Sequence, residues 1–117
     1  MIENIDKIEQ CKKEIKDLVR ALEQEFGHII ITSGFRTAAH NKRVSGVKNS
    51  SHCLGEGVDM VVQNVQCIKV ASWVLHNIRK YPVWGIGIDV YQNYVHLDIK
   101  ERPMLAIWSY GKSGRVC

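Results

Sequence analysis

Residues 85–99 read GIGIDVYQNYVHLDI, and this stretch decides the class of the fold. It contains two runs of strand length, 85–90 and 94–99, which are rich in Ile, Val and Leu. The residues between them, 91–93, have the length of a hairpin loop. The stretch therefore predicts two neighbouring antiparallel strands.

Two further strands are predicted upstream of this hairpin. The β-branched run 28–32 is bounded by Gly27 and Gly34, and the run 58–62 reads VDMVV. Residues 33–57 separate the two runs and are dense in Ser, Asn, Gly and Thr. A loop of this length in a small domain usually has a function.

Helices are predicted on both sides of these strands. Apolar residues recur at steps of three, four and seven between residues 5 and 26, and Gly27 follows as a stop signal. A second apolar face runs over 65–80 and ends before Pro82. The order helix, strand, long loop, strand, helix, hairpin is typical of a small α+β domain with a mostly antiparallel sheet and flanking helices.

The residues after 100 and the length of the chain bear on packing and on the number of domains. The tail is less regular, and its Trp108 and Tyr110 are expected to pack back onto the domain. Trp84 and Trp108 are both expected to pack rather than to line a groove. A chain of 117 residues is long enough for one hydrophobic core, so we expect residues 1–117 to form a single domain.

The composition narrows the class of partner. Hydrophobic residues make up 45% of the chain and charged residues 24%, as in an ordinary globular protein. The apolar runs are too short to span a bilayer, and the charged N-terminus lacks the apolar core of a secretory signal. We therefore expect no membrane partner and synthesis in the cytoplasm. The net charge of +4 falls short of a nucleic-acid-binding surface, so no nucleic-acid partner is expected.

The cysteines form neither a disulfide framework nor a metal-binding pair. They are few, scattered along the chain and without a C-x-x-C spacing, so we expect reduced thiols. They are Cys11, Cys53, Cys67 and Cys117.

A candidate metal site combines the long loop with the strands. Strand alternation places Tyr94, His96 and Asp98 on one face of the last strand, and Asp59 faces His96 if their strands are neighbours. With His52 from the loop, two imidazoles and a carboxylate would converge and leave a fourth position open, as catalytic zinc requires. The residues alone leave a second interpretation open, an unrelated scatter of two histidines and one aspartate.

Cys53 and the other histidines are weaker ligand candidates. Cys53 directly follows His52, and adjacent residues seldom bind the same metal ion. His28, His40 and His76 have no partner suggested by their spacing and are expected to be surface or packing residues.

Several motifs in the chain resemble those of one known family. They are SGFR at 33–36, HN at 40–41, VSG at 44–46, NSSHCLGEGVD at 49–59 and YVHLD at 94–98. In this order and spacing they resemble the zinc D-alanyl-D-alanine carboxypeptidases and their phage endolysin relatives, whose patterns are S-G-[YF]-R, S-x-H-x-x-G-x-[AG]-x-D and H-[VL]-D. The resemblance extends from about Ile29 to Asp98.

The resemblance implies a fold, a cofactor and a substrate. The fold would be the small α+β domain shared with hedgehog signalling domains, and His52, Asp59 and His96 match the family's zinc ligands. The reaction would be hydrolysis of an amide bond in a peptidoglycan stem peptide, by a D-Ala-D-Ala carboxypeptidase or an endopeptidase such as a phage endolysin. A phage-encoded enzyme would be released from the cytoplasm to the cell wall, and we expect it to act as a monomer.

The resemblance also assigns roles beside the metal. Arg36 matches the arginine that binds the substrate or polarises its scissile carbonyl, and Ser51 is expected to form a hydrogen bond near the site. The same loop contains Lys42, Arg43 and Lys48 and no acid. This charge suits an anionic peptide, although a solvated basic loop would have the same composition.

The general base is the least defined part of the resemblance. Relatives often carry Glu, Asp or His two or three residues before the last zinc-binding histidine, where this chain has Tyr94 and Asn93. Asp98 is the nearest carboxylate and is expected to act either as the base or as the residue that orients a zinc ligand. Asp89 and Glu56 are further candidates. A zinc-containing module that binds without catalysis therefore stays open as the alternative function.

Overall fold

A computed structural model describes residues 1–37, 39 and 50–113, which contain a six-stranded sheet. The strands are β1 (Ile2–Glu3), β2 (Ile29–Ser33), β3 (Gly57–Val62), β4 (Gly85–Asp89), β5 (Tyr94–Asp98) and β6 (Ala106–Ser109). The accompanying helices are a short 3-10 helix (Ile5–Ile8), α1 (Lys13–Phe26) and α2 (Cys67–His76). The strand order is β1-β2-β3-β5-β4-β6, so the predicted hairpin β4–β5 is present and lies next to β3.

The sheet is mixed, whereas the sequence analysis expects it to be mostly antiparallel. The inner pairings, β2–β3, β3–β5 and β5–β4, are antiparallel. The outer pairings, β1–β2 and β4–β6, are parallel. The sequence does not reveal the outer strands because β1 has two residues and β6 has four residues within an irregular tail, which is too short for a periodic pattern.

The first helix is interrupted, although the sequence predicts one helix over 5–26. After the 3-10 helix, α1 starts only at Lys13. The backbone N–H of Lys12 donates to the carbonyl of Gly55 at 2.8 Å, which ties the start of α1 to the loop before β3. The helix then ends at Gly27 as predicted, with a positive φ of 99° that favours glycine.

The second helix is shorter than the predicted range 65–80. It ends at His76, and the side-chain amide of Asn77 donates to the carbonyl of Trp73 at 2.8 Å. The backbone N–H of Asn77 donates to the same carbonyl at 3.1 Å, and turns over residues 77–80 lead from the helix end to Pro82. Within the described ranges, neither helix is long and apolar enough to cross a membrane.

The hydrophobic core lies between the helices and one face of the sheet. Alternate residues of β3 and β5 belong to this core and are buried: Val58, Met60, Val95 and Leu97. The helices contribute buried residues at helical spacing: Ile15, Leu18, Val19 and Leu22 from α1, and Val70, Ala71 and Val74 from α2. Because strand side chains alternate, the intervening residues Asp59, His96 and Asp98 lie on the opposite face. That face carries the candidate site.

Candidate metal centre

One row of the sheet register carries the candidate site. Asp59 of β3 pairs with His96 of β5, which pairs in turn with Gly87 of β4. Gly87 also pairs with Trp108 of β6, so the row continues to the edge of the sheet. Paired residues point to the same face of a sheet, so these positions form a line on the face opposite the core.

His52 joins this line from the turn that precedes β3. The turn is closed by a bond from the N–H of Gly55 to the carbonyl of His52, at 3.3 Å, and Gly55 has a positive φ of 69°. His52 is buried, and its Nδ1–H donates to the carbonyl of Gly34 at 2.8 Å. The other ring nitrogen, Nε2, lies 3.3 Å from Oδ1 of Asp59. The turn therefore aims Nε2 of His52 at the end of the row.

The three predicted ligands converge on one point. Nδ1–H of His96 donates at 2.7 Å to Oδ1 of Asp59, the oxygen that also lies next to His52. One nitrogen of each histidine and one oxygen of Asp59 lie within 4.8 Å of one another. Both histidines are buried, whereas the side chain of Asp59 is 21% exposed. The cluster is thus accessible from the side of Asp59.

The donor set fits a zinc ion. Two imidazole nitrogens and a carboxylate oxygen are ordinary zinc ligands, and bonds of about 2.1 Å would separate ligand atoms in a tetrahedral site by about 3.4 Å. The distance of 3.3 Å between His52 and Asp59 is close to this separation. Each histidine also donates its other ring N–H to an acceptor, the Gly34 carbonyl or the Asp98 carboxylate, as metal-binding histidines usually do.

Two carboxylates control the charge of His96. Burial disfavours the imidazolium form, but hydrogen bonds to Asp59 and Asp98 outweigh this effect and raise the pKa of His96 to about 9. Burial would raise the pKa of Asp59, yet hydrogen bonds from His52 and His96 hold that pKa well below its usual value. In the metal-free protein a cationic His96 therefore faces an anionic Asp59, and a metal cation would have to displace the proton on Nδ1.

The comparison with protein families identifies the domain. The family model for peptidase M15 matches residues 2–98, the span that contains all three converging side chains. The chain belongs to the peptidase M15 family. A comparison with curated proteins gives no match. Peptidases of the M15 family are zinc enzymes, which agrees with the donor set at this site.

In this M15 peptidase, Asp98 lies on the side of His96 away from Asp59. Oδ2 of Asp98 accepts Nε2–H of His96 at 2.7 Å. Arg102 donates to both oxygens of Asp98, at 2.5 and 3.1 Å, and the carboxylate is buried. Burial alone would raise the pKa of Asp98, but the hydrogen bonds from His96 and Arg102 outweigh burial and lower that pKa below its usual value. The carboxyl group is therefore ionised. Arg102 cannot be predicted from the sequence, because a basic residue in an irregular segment belongs to no recognisable pattern.

Arg36 and Ser51 are both neighbours of His52, Ser51 in the sequence and Arg36 through a backbone hydrogen bond. The backbone N–H of Arg36 donates to the carbonyl of His52 at 3.1 Å, and its Nη2 donates to the hydroxyl of Ser50 at 3.4 Å. Nε of Arg36 is buried and has no hydrogen-bond partner in the described part of the chain. Ser51 is buried, and its hydroxyl occupies the space that a side chain on Gly57 would need. Arg36 thus offers a donor that no described residue accepts, whereas Ser51 is packed within the turn.

Asn93 has a structural role at the position where relatives often carry the base. Its Oδ1 accepts the backbone N–H of Cys67 at 2.8 Å, and its Nδ2 donates to the carbonyl of Val65 at 3.0 Å. Asn93 has a positive φ of 55°, which asparagine tolerates better than most residues. Its side chain therefore fastens the β4–β5 turn to the start of α2.

The other candidates for the base also have local partners. Asp89 is fully buried, and its Oδ1 accepts the backbone N–H of Tyr91 and Gln92. Glu56 pairs with Lys12 at 2.5 Å. These contacts give Glu56 and Oδ1 of Asp89 local partners, whereas Oδ2 of Asp89 is buried without a hydrogen-bond partner among the described residues.

Tyr94 lies beside the cluster but remains neutral. Burial, followed by the nearby Tyr110 and the charges of Asp59 and Asp89, raises the pKa of Tyr94 far above its usual value. The rings of Tyr94 and Tyr110 lie 5.5 Å apart. Together they form an aromatic surface next to Asp59.

The tryptophan of the tail contacts the site. Trp108 is half-buried, and its ring centroid lies 5.5 Å from that of His96. The expected packing of Trp108 back onto the domain is thus present, and it packs against a ligand candidate. Trp84, by contrast, takes part through its backbone in bonds to Asp98 and Ala106.

The remaining histidines and cysteines have other surroundings. His28 pairs with Glu3 at 2.6 Å, and exposed His76 donates to the carbonyl of Ser72. Among the described residues, Cys53 does not join the ligand group. The described cysteines are free thiols: Cys11, Cys53 and Cys67. The predicted residues His40, Lys42, Arg43, Lys48 and Cys117 lie outside the described residues.

Proposed function

We propose that this M15 peptidase is a zinc-dependent hydrolase of amide bonds in peptidoglycan stem peptides. It would act as a D-Ala-D-Ala carboxypeptidase or as an endopeptidase of the endolysin type. One observation carries the proposal: His52, Asp59 and His96 converge, and both histidines have their second nitrogen bound to a fixed acceptor. A zinc ion in such a site would activate a water molecule and polarise the scissile carbonyl as a Lewis acid.

Arg36 would recognise the substrate. Its backbone N–H forms a hydrogen bond with the carbonyl of His52. Its Nε is a buried donor without a hydrogen-bond partner in the described ranges. A buried donor without an acceptor is costly, so an arriving carbonyl or carboxylate oxygen would satisfy it. This arrangement supports the predicted role of Arg36 at the scissile carbonyl or at the terminal carboxylate of the peptide.

Asp98 would orient a ligand rather than accept the proton of the nucleophile. Its carboxylate binds Nε2 of His96, on the side of the ring away from Asp59, and both of its oxygens are bonded to Arg102. A general base needs a free oxygen within hydrogen-bond distance of the reacting proton. These contacts favour the orienting role of the two that the sequence analysis leaves open for Asp98.

A non-catalytic zinc-containing module is the second candidate. It is favoured by Asn93, which stands at one of the two positions where relatives often carry Glu, Asp or His as the base, and which fastens the β4–β5 turn to α2. In this case the same face of the sheet would bind a wall peptide without cleaving it. Fold alone does not distinguish the two functions.

Three further expectations belong to the proposal. The fold would be the hedgehog-like arrangement implied by the sequence motifs. The protein would act as a single domain and as a monomer. It would be made in the cytoplasm and reach the cell wall by release, as a phage-encoded enzyme does.

The test is a digest of purified peptidoglycan and of soluble muropeptides, analysed by mass spectrometry. Three samples are compared: protein loaded with zinc, protein treated with a chelator, and chelated protein given zinc again. We expect products only in the two zinc-containing samples. The product masses separate loss of a terminal D-Ala from cleavage within the stem. A protein that holds one zinc ion and yields no product from several wall chemistries would support the binding module instead.

His96→Ala and His76→Ala form a matched pair for this digest. His96 belongs to the cluster, whereas His76 is exposed on α2 and bonds only locally. After dialysis, His96→Ala should retain its circular dichroism spectrum but lose stoichiometric zinc and all products. His76→Ala should behave like the unaltered protein. Full zinc content in His96→Ala would remove this residue from the ligand set.

A further inference from the structure

We propose that Arg102 is a positioning residue of the metal centre. By holding the carboxylate of Asp98 against Nε2 of His96, it presents Nδ1 of His96 to the cluster. The inference rests on the proposed metal site. It assigns a role to a residue beyond the span 2–98 that the family model matches.

The contacts of Arg102 define the geometry of Asp98. Nη1 of Arg102 donates to Oδ1 of Asp98 at 2.5 Å and to the carbonyl of Lys100 at 3.2 Å. Nη2 donates to Oδ2 at 3.1 Å. The guanidinium thus binds both oxygens of the carboxylate, which fixes its plane as well as its position.

The carboxylate of Asp98 in turn selects the nitrogen that His96 offers to a metal. His96 has a carboxylate on each side, Asp59 at Nδ1 and Asp98 at Nε2, both at 2.7 Å. A metal ion binds only a ring nitrogen that carries no proton. Because a neutral imidazole has one ring proton, His96 can offer one nitrogen to a metal while the other nitrogen keeps its hydrogen. With its carboxylate held in place by Arg102, Asp98 accepts the hydrogen on Nε2 at 2.7 Å, which leaves Nδ1 of His96 for the metal.

The strand next to this ion pair, β4, has a glycine at the position that faces it. Gly85 pairs with Asp98 in the register, and a Cβ added at Gly85 would lie 2.5 Å from Oδ2 of Asp98 and 2.6 Å from Nη1 of Arg102. Any other residue at position 85 would therefore displace the pair. The bare backbone at this position is a structural requirement of the Asp98–Arg102 contact.

Trp108 covers the pair on its outer side. The guanidinium carbon of Arg102 lies 5.7 Å from the indole ring centroid, a cation–π distance. The same indole lies 5.5 Å from the ring of His96. The side chain of Asp98 is 1% exposed and that of Arg102 is 27% exposed. The indole and the buried position of Asp98 reduce screening by water, which strengthens the hold of Arg102 on the carboxylate.

The experiment measures metal affinity without substrate, by competition with a chromophoric chelator for zinc and by the d–d absorption of the Co²⁺-loaded protein. Arg102→Met removes the charge and the fork, and Arg102→Lys keeps only the charge. We expect Arg102→Met to weaken zinc binding roughly 10- to 100-fold and to alter the Co²⁺ spectrum, as loss of an outer-sphere partner does. Arg102→Lys should lie between it and the unaltered protein.

Arg20→Met is the matched control, because Arg20 also pairs with a carboxylate but lies exposed on α1. It should leave zinc affinity and the Co²⁺ spectrum unchanged. The proposal is overturned if folded Arg102→Met binds zinc as tightly as the unaltered protein. If Arg102→Met does not fold, an Arg102→Lys variant that folds with unaltered affinity and spectrum overturns it equally. A digest without products leaves this readout intact, so the proposed reaction and the role of Arg102 fail separately.

Discussion

At the scale of the residue, the chemistry depends on how His96 shares its two nitrogens. Asp59 and Asp98 accept one hydrogen each, and only the first of these carboxylates belongs to the candidate ligands. His52 donates the hydrogen of its second ring nitrogen, Nδ1, to a backbone carbonyl, that of Gly34. A backbone carbonyl and a carboxylate therefore have the same effect: each fixes the ring orientation and the tautomer in which its histidine faces the metal site.

Arg36 is the residue whose loss should separate binding of the metal from catalysis. Arg36→Ala should keep one zinc ion per chain, because no ligand atom is removed. If Arg36 donates to the developing oxyanion, kcat/KM should fall roughly 100- to 1,000-fold. Zinc content and peptide hydrolysis are measured on the same samples, with Arg20→Ala as the exposed control. An unchanged kcat/KM would exclude Arg36 from the mechanism.

The sequence identifies the ligand candidates better than it identifies their supports. His52, Asp59 and His96 stand in motifs with fixed spacing, and the structure brings them together. Arg102 has no such signal, because its contact with Asp98 depends on the bare backbone of Gly85 in the neighbouring strand. Asp98 and Arg102 stand only four residues apart, but the glycine that leaves room for their contact belongs to β4 and lies outside any motif that contains them.

At the scale of the element, β4 acts as a spacer between the ligand strand and the edge strand. Gly87 stands between His96 of β5 and Trp108 of β6 in one register row. A Cβ on Gly87 would lie 2.7 Å from Nε1 and 2.9 Å from Cε2 of Trp108. The glycine therefore allows an indole from one strand to reach over a second strand to a histidine on the third.

A double-mutant cycle tests this arrangement. Gly87→Ala should lower the free energy of unfolding by about 1–3 kcal/mol, because the new methyl group displaces the indole of Trp108. In a Trp108→Ala background the same substitution should cost less, since one of the two obstructing rings is gone and only Cε2 of Tyr110, 2.9 Å from the new Cβ, remains in its way. Urea unfolding monitored by circular dichroism measures all four variants, with exposed Ser109→Ala as control. Strictly additive costs would show that the two positions do not touch.

The elements that the sequence predicts are those with long periodic patterns. Strands β2 to β5 appear close to their predicted ranges, and both helices lie within theirs but are shorter. The interruption before Lys13 escapes prediction because it comes from a long-range bond, Lys12 to Gly55, while the apolar periodicity continues through it. The outer strands escape because their pairing partners, and not their own residues, define them.

At the scale of the whole molecule, the metal-free cluster links stability to pH. His96 has its pKa raised to about 9, so its contribution to stability is complete below its unfolded value of about 6.5 and is lost as pH rises through 9. Asp59 and Asp98 have lowered pKa values, so their contributions are complete above about pH 4 and are lost only in acid.

Chelator-treated protein should therefore become less stable between pH 6.5 and 9, by at most about 3 kcal/mol. Zinc affinity should rise over the same interval, because zinc must displace a proton from His96. Urea unfolding and chelator competition at a series of pH values measure the two trends. His96→Ala supplies the control and should lack the decline in stability. A flat stability profile in the unaltered metal-free protein would contradict the charge state assigned to His96.

The position of β6 has a practical consequence for work on related proteins. The family match ends at residue 98, which is also the last residue of β5. A fragment trimmed at that boundary would still contain every candidate ligand. It would lack the strand that shields one side of β4, and it would lose the guanidinium and the indole that brace the buried aspartate. Measurements of metal binding on so short a fragment would therefore not represent the candidate site as it stands in the whole chain.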